Sequence, residues 1–271
     1  MNSKEIAVWI GRRSLLRKLG FQLIHYTTLR EWYIKKGLKQ FCGSLNASPR
    51  ILDAGCGLGQ HLYFCARRQP HAKVVGLEND PQLVADLRDF LRQQKVDNAA
   101  VAAADLAACQ IDDQYDVVLC ASVLEHIPQD QLVLNKLAAC LQPGGYLLIY
   151  VPSAEKRVLT CLEKKIQRML RETGRPFLHD HVRYYSPQDL AERVRSAGLR
   201  VVQKRITYGR FGRWAYDLVT MVQFSRFFLW LFPWYLLLIH PWVLVLMALD
   251  TISENQEGNG LWMVTVKPVV A

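Results

Sequence analysis

The sequence predicts an α/β chain built on a doubly wound sheet, and three observations carry that reading. Between Arg50 and Val151, apolar runs of strand length alternate with segments of helical pattern, the signature of a parallel sheet wrapped by helices. The runs are almost unbrokenly apolar, so both faces of the sheet are covered. The stretch "ILDAGCGLGQH" (51–61) sets three glycines in five positions after the first run. Glycines between a strand and a helix let a ligand touch bare backbone N–H groups at a helix N-terminus.

Taken in order, residues 1–45 read as a basic extension of one or two amphipathic helices, with clusters at Arg12, Arg13, Arg17 and Lys18 and at Lys35, Lys36 and Lys39. "MNSKEIAVWIGRRSLLRKLG" has no continuous apolar stretch or small-residue cleavage site and does not read as a secretory signal. The core spans 46–208, with strands expected at 50–54, 73–78, 99–103, 115–121 and 145–151. One helix opens at Gly59, a second follows Asp80-Pro81 with Asp as cap, and a third runs over 130–141 until "QPGG" stops it. Beyond the fifth strand a charged amphipathic segment (154–173) leads into "GRPFLHDHVRYYS". "SPQDLAERVRSAG" then reads as a helix with a Ser186/Asp189 capping box, Pro187 at its start and Gly198 at its end. A strand follows at 199–208, an apolar insert fills 209–259, and a last strand (260–268) leads into the tail ending at 271, which makes seven strands.

A chain of 271 residues suits one sizeable core with additions. A formal charge of +10 and a pI near 9.3 point to a polyanionic partner. No zinc-finger spacing or aromatic RNA-binding strand accompanies the basic clusters, so a membrane surface is favoured and nucleic acid is not. The seven cysteines are odd in number, form no CxxC pair and lie mostly in apolar runs. They read as reduced fillers of a cytoplasmic protein, not as disulfides or zinc ligands.

The acids around the glycine loop sharpen its meaning. Asp53 stands just before Gly55, Gly57 and Gly59. A carboxylate there would repel a pyrophosphate and attract an ammonium group, directly or through water. Glu78 ends the second strand, where a carboxylate can take both hydroxyls of a ribose. Asp105, just past the third, can accept from an exocyclic amine, with Leu106 flanking the ring. Three carboxylates thus line the carboxyl edge of the sheet, where open α/β sheets bind ligands.

With these residues the sequence resembles the class I S-adenosylmethionine-dependent methyltransferases, in particular the small-molecule branch that includes the ubiquinone-pathway enzymes. "ILDAGCGLGQ", "VVGLENDP", "AADL", "YDVVLCASVLEHI" and "LQPGGYLLIYVPS" resemble that family's successive motifs, over about 45–208 with the last strand rejoining at 260. The resemblance implies a Rossmann-like seven-stranded sheet with its last strand antiparallel, and S-adenosylmethionine as cofactor. By motif position it implies that Asp53, Gly55, Cys56, Gly57 and Gly59 hold the methionine part, Glu78 the ribose, and Asp105 with Leu106 the adenine. Ala121, Ser122 and Val123 would lie along the cofactor. Asn79-Asp80 is more polar than the family's usual pair and would alter the adenine rim.

Methyl transfer from a sulfonium mainly requires alignment and exclusion of water, with a base only where the nucleophile holds its proton. His126 follows the fourth strand at the carboxyl edge, and His179 and His181 flank Asp180, so these three histidines are the candidate catalytic residues; a structural role for His126 stays open. The i, i+2 spacing of His179 and His181 with no third ligand does not read as a metal site. Tyr184, Tyr185 and Arg183 are candidate substrate contacts, Arg183 alternatively a salt-bridge partner.

The block 227–249 carries no formal charge and is long enough to span a bilayer, but the last two strands are sheet neighbours in the implied fold and cannot lie on opposite sides of a membrane. Pro233 and His240-Pro241 interrupt it, so it is expected to fold back as two short helices in the interface. Trp230, Trp234, Tyr235 and Trp242 would sit at headgroup level and Arg210, Arg213 and Arg226 at the phosphates. The expected function is O-methylation of a hydrophobic or lipid-linked small molecule such as a quinone precursor, by a cytoplasmic protein peripheral on the inner face of the cell membrane. The alternatives are a soluble natural-product or sugar methyltransferase whose insert is a lid or homodimer contact, and a non-catalytic cofactor-binding membrane partner.

Overall fold

The computed structural model describes residues 14–43, 48–154, 182–223, 232 and 234–269. The charged segment after the fifth strand, with His179 and His181, and the basic residues Arg12, Arg13 and Arg226 lie outside the described residues, as do Trp230 and Pro233. Two helices open the described chain, α1 (Ser14–Thr27) and α2 (Leu29–Gly43). The core follows as β1 (Arg50–Ala54), α3 (Gln60–Arg68), β2 (Lys73–Glu78), α4 (Pro81–Gln93), β3 (Ala99–Ala103) and β4 (Tyr115–Ala121). A short 3₁₀ turn (Leu124–His126) leads to α5 (Asp130–Ala139) and β5 (Leu141–Pro152). The chain ends through α6 (Pro187–Ser196), β6 (Arg200–Thr207), α7 (Arg210–Gln223), α8 (His240–Ile252) and β7 (Gly260–Val266).

The seven strands form one sheet in the order β3-β2-β1-β4-β5-β7-β6. The first five pair in parallel and β7 is antiparallel to both β5 and β6, as the resemblance implies. Helices cover both faces, so Leu52 is buried in one apolar layer and Val117, Leu119 and Leu148 in another. Local chemistry sets the helix ends as expected. Asp80 accepts from the N–H groups of Gln82 and Leu83, with Pro81 first in the helix, and Ser186 accepts from that of Asp189.

Two expectations are corrected. "QPGG" does not separate a helix from a strand, because β5 already begins at Leu141. The pairing shifts between Tyr115 and Val117, and Gly144 adopts φ +81, so the same residues make a bulge within a strand. Nor does the apolar block break at Pro241. A π-helical stretch (Tyr235–Ile239) feeds directly into α8, and the His240 N–H donates to the carbonyl of Tyr235, five residues back. The widened turn absorbs the proline, so the hydrogen bond that Pro241 cannot donate is lost without ending the helix. The two helices that fold back on each other are therefore α7 and this longer helix.

Candidate active site

The carboxyl ends of β1, β2, β3 and β4 open onto a cavity of about 370 Å³. Gly55 and Gly57 form its floor, Glu78 and Asn79 one side, Asp105 and Leu106 another, and Ser122, Val123 and His126 a third. Cys56, Gly59, Ala121 and Asp53, also candidates from the sequence, are not among its lining residues.

The three glycines owe their identity to different neighbours. All have positive φ, +78, +52 and +82 at Gly55, Gly57 and Gly59. A side chain at Gly55 would strike Val123 Cγ2 at 2.4 Å, and one at Gly59 would strike Leu87 Cδ1 at 2.4 Å. Only at Gly57 is there open space. Gly55 and Gly59 thus let the loop pack, and Gly57 bares the backbone to the cavity. Cys56 is buried beneath the loop, close under Gly76, and burial pushes its thiol up.

The acids divide the same way. Glu78 Oε2 accepts from the Gly57 N–H at 2.9 Å, and Oε1 from those of Asn79 at 3.0 Å and Asp80 at 3.1 Å. Those bonds lock the carboxylate against the loop at the cavity edge. Asp105 accepts from the Ala107 N–H at 2.9 Å and stays exposed at the rim, beside buried Leu106. Asp53 is 3% exposed and its Oδ2 has no hydrogen-bond partner. Burial raises its carboxyl to about 6, against the opposing pull of His61 and the Leu62 N–H. A buried, half-satisfied carboxylate behind a glycine loop suits a cation on the far side. Glu78 suits a diol, and Asp105 with Leu106 an amine-bearing ring. These residues fit a positively charged nucleoside.

Sequence reasoning missed a second layer supplied by α2. Arg30 Nη1 donates to Ser122 Oγ at 3.0 Å, and the Arg30 backbone N–H donates to the Tyr208 hydroxyl at 3.1 Å. Ser122 takes φ +56, unusual for a side chain with a Cβ, and its N–H donates to the Tyr150 carbonyl at 2.8 Å. Next to Arg30, Glu31 is 1% exposed and bonds His61 Nε2 at 3.1 Å and Gln60 Nε2 at 3.2 Å. Burial works to raise its carboxyl, but His61, Arg30 and Lys35 outweigh that and bring it down to about 2. No periodicity marks these residues, because they act from a helix far from the motifs in sequence.

The candidate substrate residues separate. Tyr185 is fully buried and donates to Asp130 Oδ2 at 2.8 Å, and Arg183 gives its Nη1 to Asp130 Oδ1 at 2.8 Å and its Nη2 to the Pro128 carbonyl at 2.7 Å. The two fasten the returning chain to the start of α5 and do not line the cavity. For Arg183 the salt bridge is what forms; for Tyr185 the substrate assignment is corrected by its burial. Tyr184, between them, is exposed. The Val182 N–H donates to the Glu125 carbonyl, in the 3₁₀ turn that presents His126.

Comparison with known proteins agrees with this geometry. Residues 14–204 match the family described as a methyltransferase domain. The ubiquinone biosynthesis O-methyltransferase of Burkholderia thailandensis is 32% identical over 162 residues, 59% of this chain and 68% of that protein. Its namesake from Paraburkholderia phytofirmans is 33% identical over 168 residues, 60% and 69% of the two chains. Among solved structures, coclaurine N-methyltransferase bound to N-methylheliamine and S-adenosylhomocysteine superposes with a TM-score of 0.58 at 13% identity, covering 88% of this chain and 72% of that one. The cyclase SpnF superposes about as well, at 0.56 and 17% identity over 94% and 82% of the chains, so the fold alone does not carry the activity. The matched domain, the relatives' names and the cavity's fit to a cationic nucleoside carry it together: the chain belongs to the class I S-adenosylmethionine-dependent methyltransferases.

Proposed function

We propose that this methyltransferase acts on a hydroxyl of a hydrophobic, lipid-borne small molecule at a membrane surface. The observation that carries the proposal is the exposed apolar hairpin rooted beside the cavity. Asp250, near the end of α8, accepts from the Gly212 N–H at the start of α7 at 3.0 Å, so the two helices run antiparallel and share one root. Tyr235, Val243 and Met247 are buried along the inner face, whereas Trp234, Leu237, Leu238 and Trp242 are exposed. The helical run Tyr235–Ile252, at 18 residues, is long and apolar enough by length and composition to cross a membrane. Its attachment to α7 favours a hairpin dipping into one leaflet over a span. The relatives' names, ubiquinone biosynthesis O-methyltransferase, agree with an apolar acceptor and with oxygen as the acceptor atom.

When bound, S-adenosylmethionine supplies an electrophilic methyl group on a positive sulfur. In this reading Glu78 holds the ribose diol, Asp105 and Leu106 the adenine, and Asp53 with the Gly57 backbone the ammonium end. Ser122, fixed by Arg30, and Val123 form the wall along which the acceptor oxygen aligns. His126 stands on the same wall, exposed at the rim. It would receive the acceptor hydroxyl's proton as the oxygen takes the methyl group that the bound cofactor would supply. Radiolabelled S-adenosylmethionine supplied to membranes and to a soluble extract tests the proposal. Labelled product should extract with lipid from the membrane fraction, and label confined to soluble products would overturn the reading.

A further inference from the structure

Away from the cavity, α1, α2 and α3 enclose a second cleft of about 460 Å³. Lys18, Lys35, Arg67 and Arg68 line it, no acidic residue does, and among the described residues none of the four pairs with a carboxylate. Helix polarity explains cations at the end of α3, where Arg67 and Arg68 lie in the last turn. It does not explain Lys18 and Lys35 arriving from two other helices. The nearest acid, Glu31, is already committed to His61 and Gln60. Burial lowers the Lys35 ammonium, with Glu31 pulling it back up and Lys39 adding a smaller push down. Aromatic rings form the floor, with Lys35 Nζ 5.6 Å from the centre of Phe64 and Tyr63 packed 6.1 Å from Phe21.

The same α1 carries a stripe of exposed apolar side chains next to this cleft. Leu15, Leu19 and Leu23 recur every fourth residue and are 68%, 57% and 50% exposed, and Lys18 lies one residue before Leu19. A phosphate set among convergent cations beside a ridge of leucines is the arrangement of a phospholipid, headgroup in the cleft and chains along the ridge.

We propose that this cleft is a binding site for the phosphate of an anionic phospholipid headgroup, distinct from the cofactor cavity. The inference rests on the membrane reading above for the source of the phosphate, and on the cleft itself for the site.

Flotation with phosphatidylcholine vesicles, with and without phosphatidylglycerol, tests it, together with calorimetric titration of inorganic phosphate. The wild type should favour the anionic vesicles. K18E/R68E should lose about tenfold of that preference at low salt. K18Q/R68Q should lose less in the same direction. R195E/R200E, an equal change of charge at exposed positions outside the cleft, should lose little. Equal losses in K18E/R68E and R195E/R200E would overturn the site, showing diffuse attraction only. Phosphate binding that K18E/R68E abolishes, with no preference for anionic vesicles, would overturn the lipid and leave a free-phosphate cleft. Binding to neutral vesicles with no anionic excess would sink this site and leave the hairpin's role standing; anionic binding without neutral binding would do the reverse. Affinity for S-adenosylhomocysteine should stay unchanged in all variants, since none touches the cofactor cavity.

Discussion

Asp53 gives the sharpest test of how the cofactor site is built. Its carboxyl is raised from 3.8 to about 6 by burial, so the folded state favours the proton. For a group raised on folding, stability is fully present below the unfolded value and is lost as pH rises through the folded one. At pH 7.5 the charged carboxylate therefore costs the cofactor-free protein about 3 kcal/mol. Asp53→Asn removes that cost but sets an amide N–H where Oδ2 has no partner, a penalty of about 1–3 kcal/mol. The net expectation is a gain of about 1 kcal/mol at pH 7.5, or about 2–4 °C in Tm, that turns into a loss of about 2 kcal/mol near pH 4, where the wild-type carboxyl is already protonated and only the amide penalty remains. Affinity should move the opposite way. If the ammonium end of the cofactor offsets the burial cost, calorimetry with S-adenosylhomocysteine should show a loss of about ten- to a hundredfold at pH 7.5. Scanning fluorimetry at the two pH values reads the first effect. A variant that melts lower at pH 7.5, or binds S-adenosylhomocysteine as tightly as wild type, would refute the idea that Asp53 is held charged for the cofactor.

His126→Asn should lower kcat by about a hundredfold while leaving S-adenosylhomocysteine affinity within error, and an unchanged pH-rate profile would remove the histidine from proton transfer. The glycines should separate by neighbour in denaturant unfolding. Gly59→Ala, which meets Leu87, should destabilise by more than about 2 kcal/mol, and Gly57→Ala by about 1 kcal/mol from its positive φ alone. Gly57→Ala should instead lose affinity for the cofactor, because its methyl enters the cavity. Glu31 is depressed to about 2, so its contribution is present above its unfolded value near 4.5 and is lost as pH falls towards 2. Glu31→Gln should flatten the acid limb of a stability-pH profile by about 3 kcal/mol.

Much of this fold was legible because the sheet is buried on both faces. Runs such as "YDVVLCA" have no polar alternation to confuse with a helix, and β4 begins and ends where that run does. Breakers were less informative. Pro143-Gly144 reads alike in a turn and in a bulge, and only the partner strand decides between them. Pro241 forbids one hydrogen bond but not a helix, and the π stretch before it re-registers the ladder. In the site, spacing identified the cavity's acids because each ends a strand. It could not distinguish Gly57, which faces open space, from Gly55 and Gly59, which face side chains more than twenty residues away. Arg30, Glu31 and Tyr208 were illegible for a related reason: each is unremarkable in its own helix or turn and gains meaning only where α2 crosses the sheet edge.

Asp250 joins these parts. It is fully buried near the end of an otherwise apolar helix, and its carboxylate accepts from the Tyr33 hydroxyl at 3.0 Å, the Gly212 N–H at 3.0 Å, and the Tyr208 N–H and Asn255 Nδ2 at 3.2 Å. Tyr208 in turn accepts from Arg30, which fixes Ser122 in the cavity wall. One carboxylate thus fastens both helices of the hairpin to α2 and to the layer behind the cofactor site. Asp250→Leu would leave four donors facing an apolar side chain, a loss of at least about 4 kcal/mol if each costs about 1. That offsets a large part of what the buried Tyr235, Val243 and Met247 contribute at about 1.5–3 kcal/mol each, so the hairpin should detach before the sheet unfolds. Hydrogen exchange should accelerate across 210–223 and 234–252 and at Arg30 while β1, β4 and β5 stay protected, and cofactor affinity should fall although no cavity-lining residue has changed. Uniform acceleration through the sheet would refute local detachment; unchanged affinity with a detached hairpin would show that Ser122 keeps its place without Arg30.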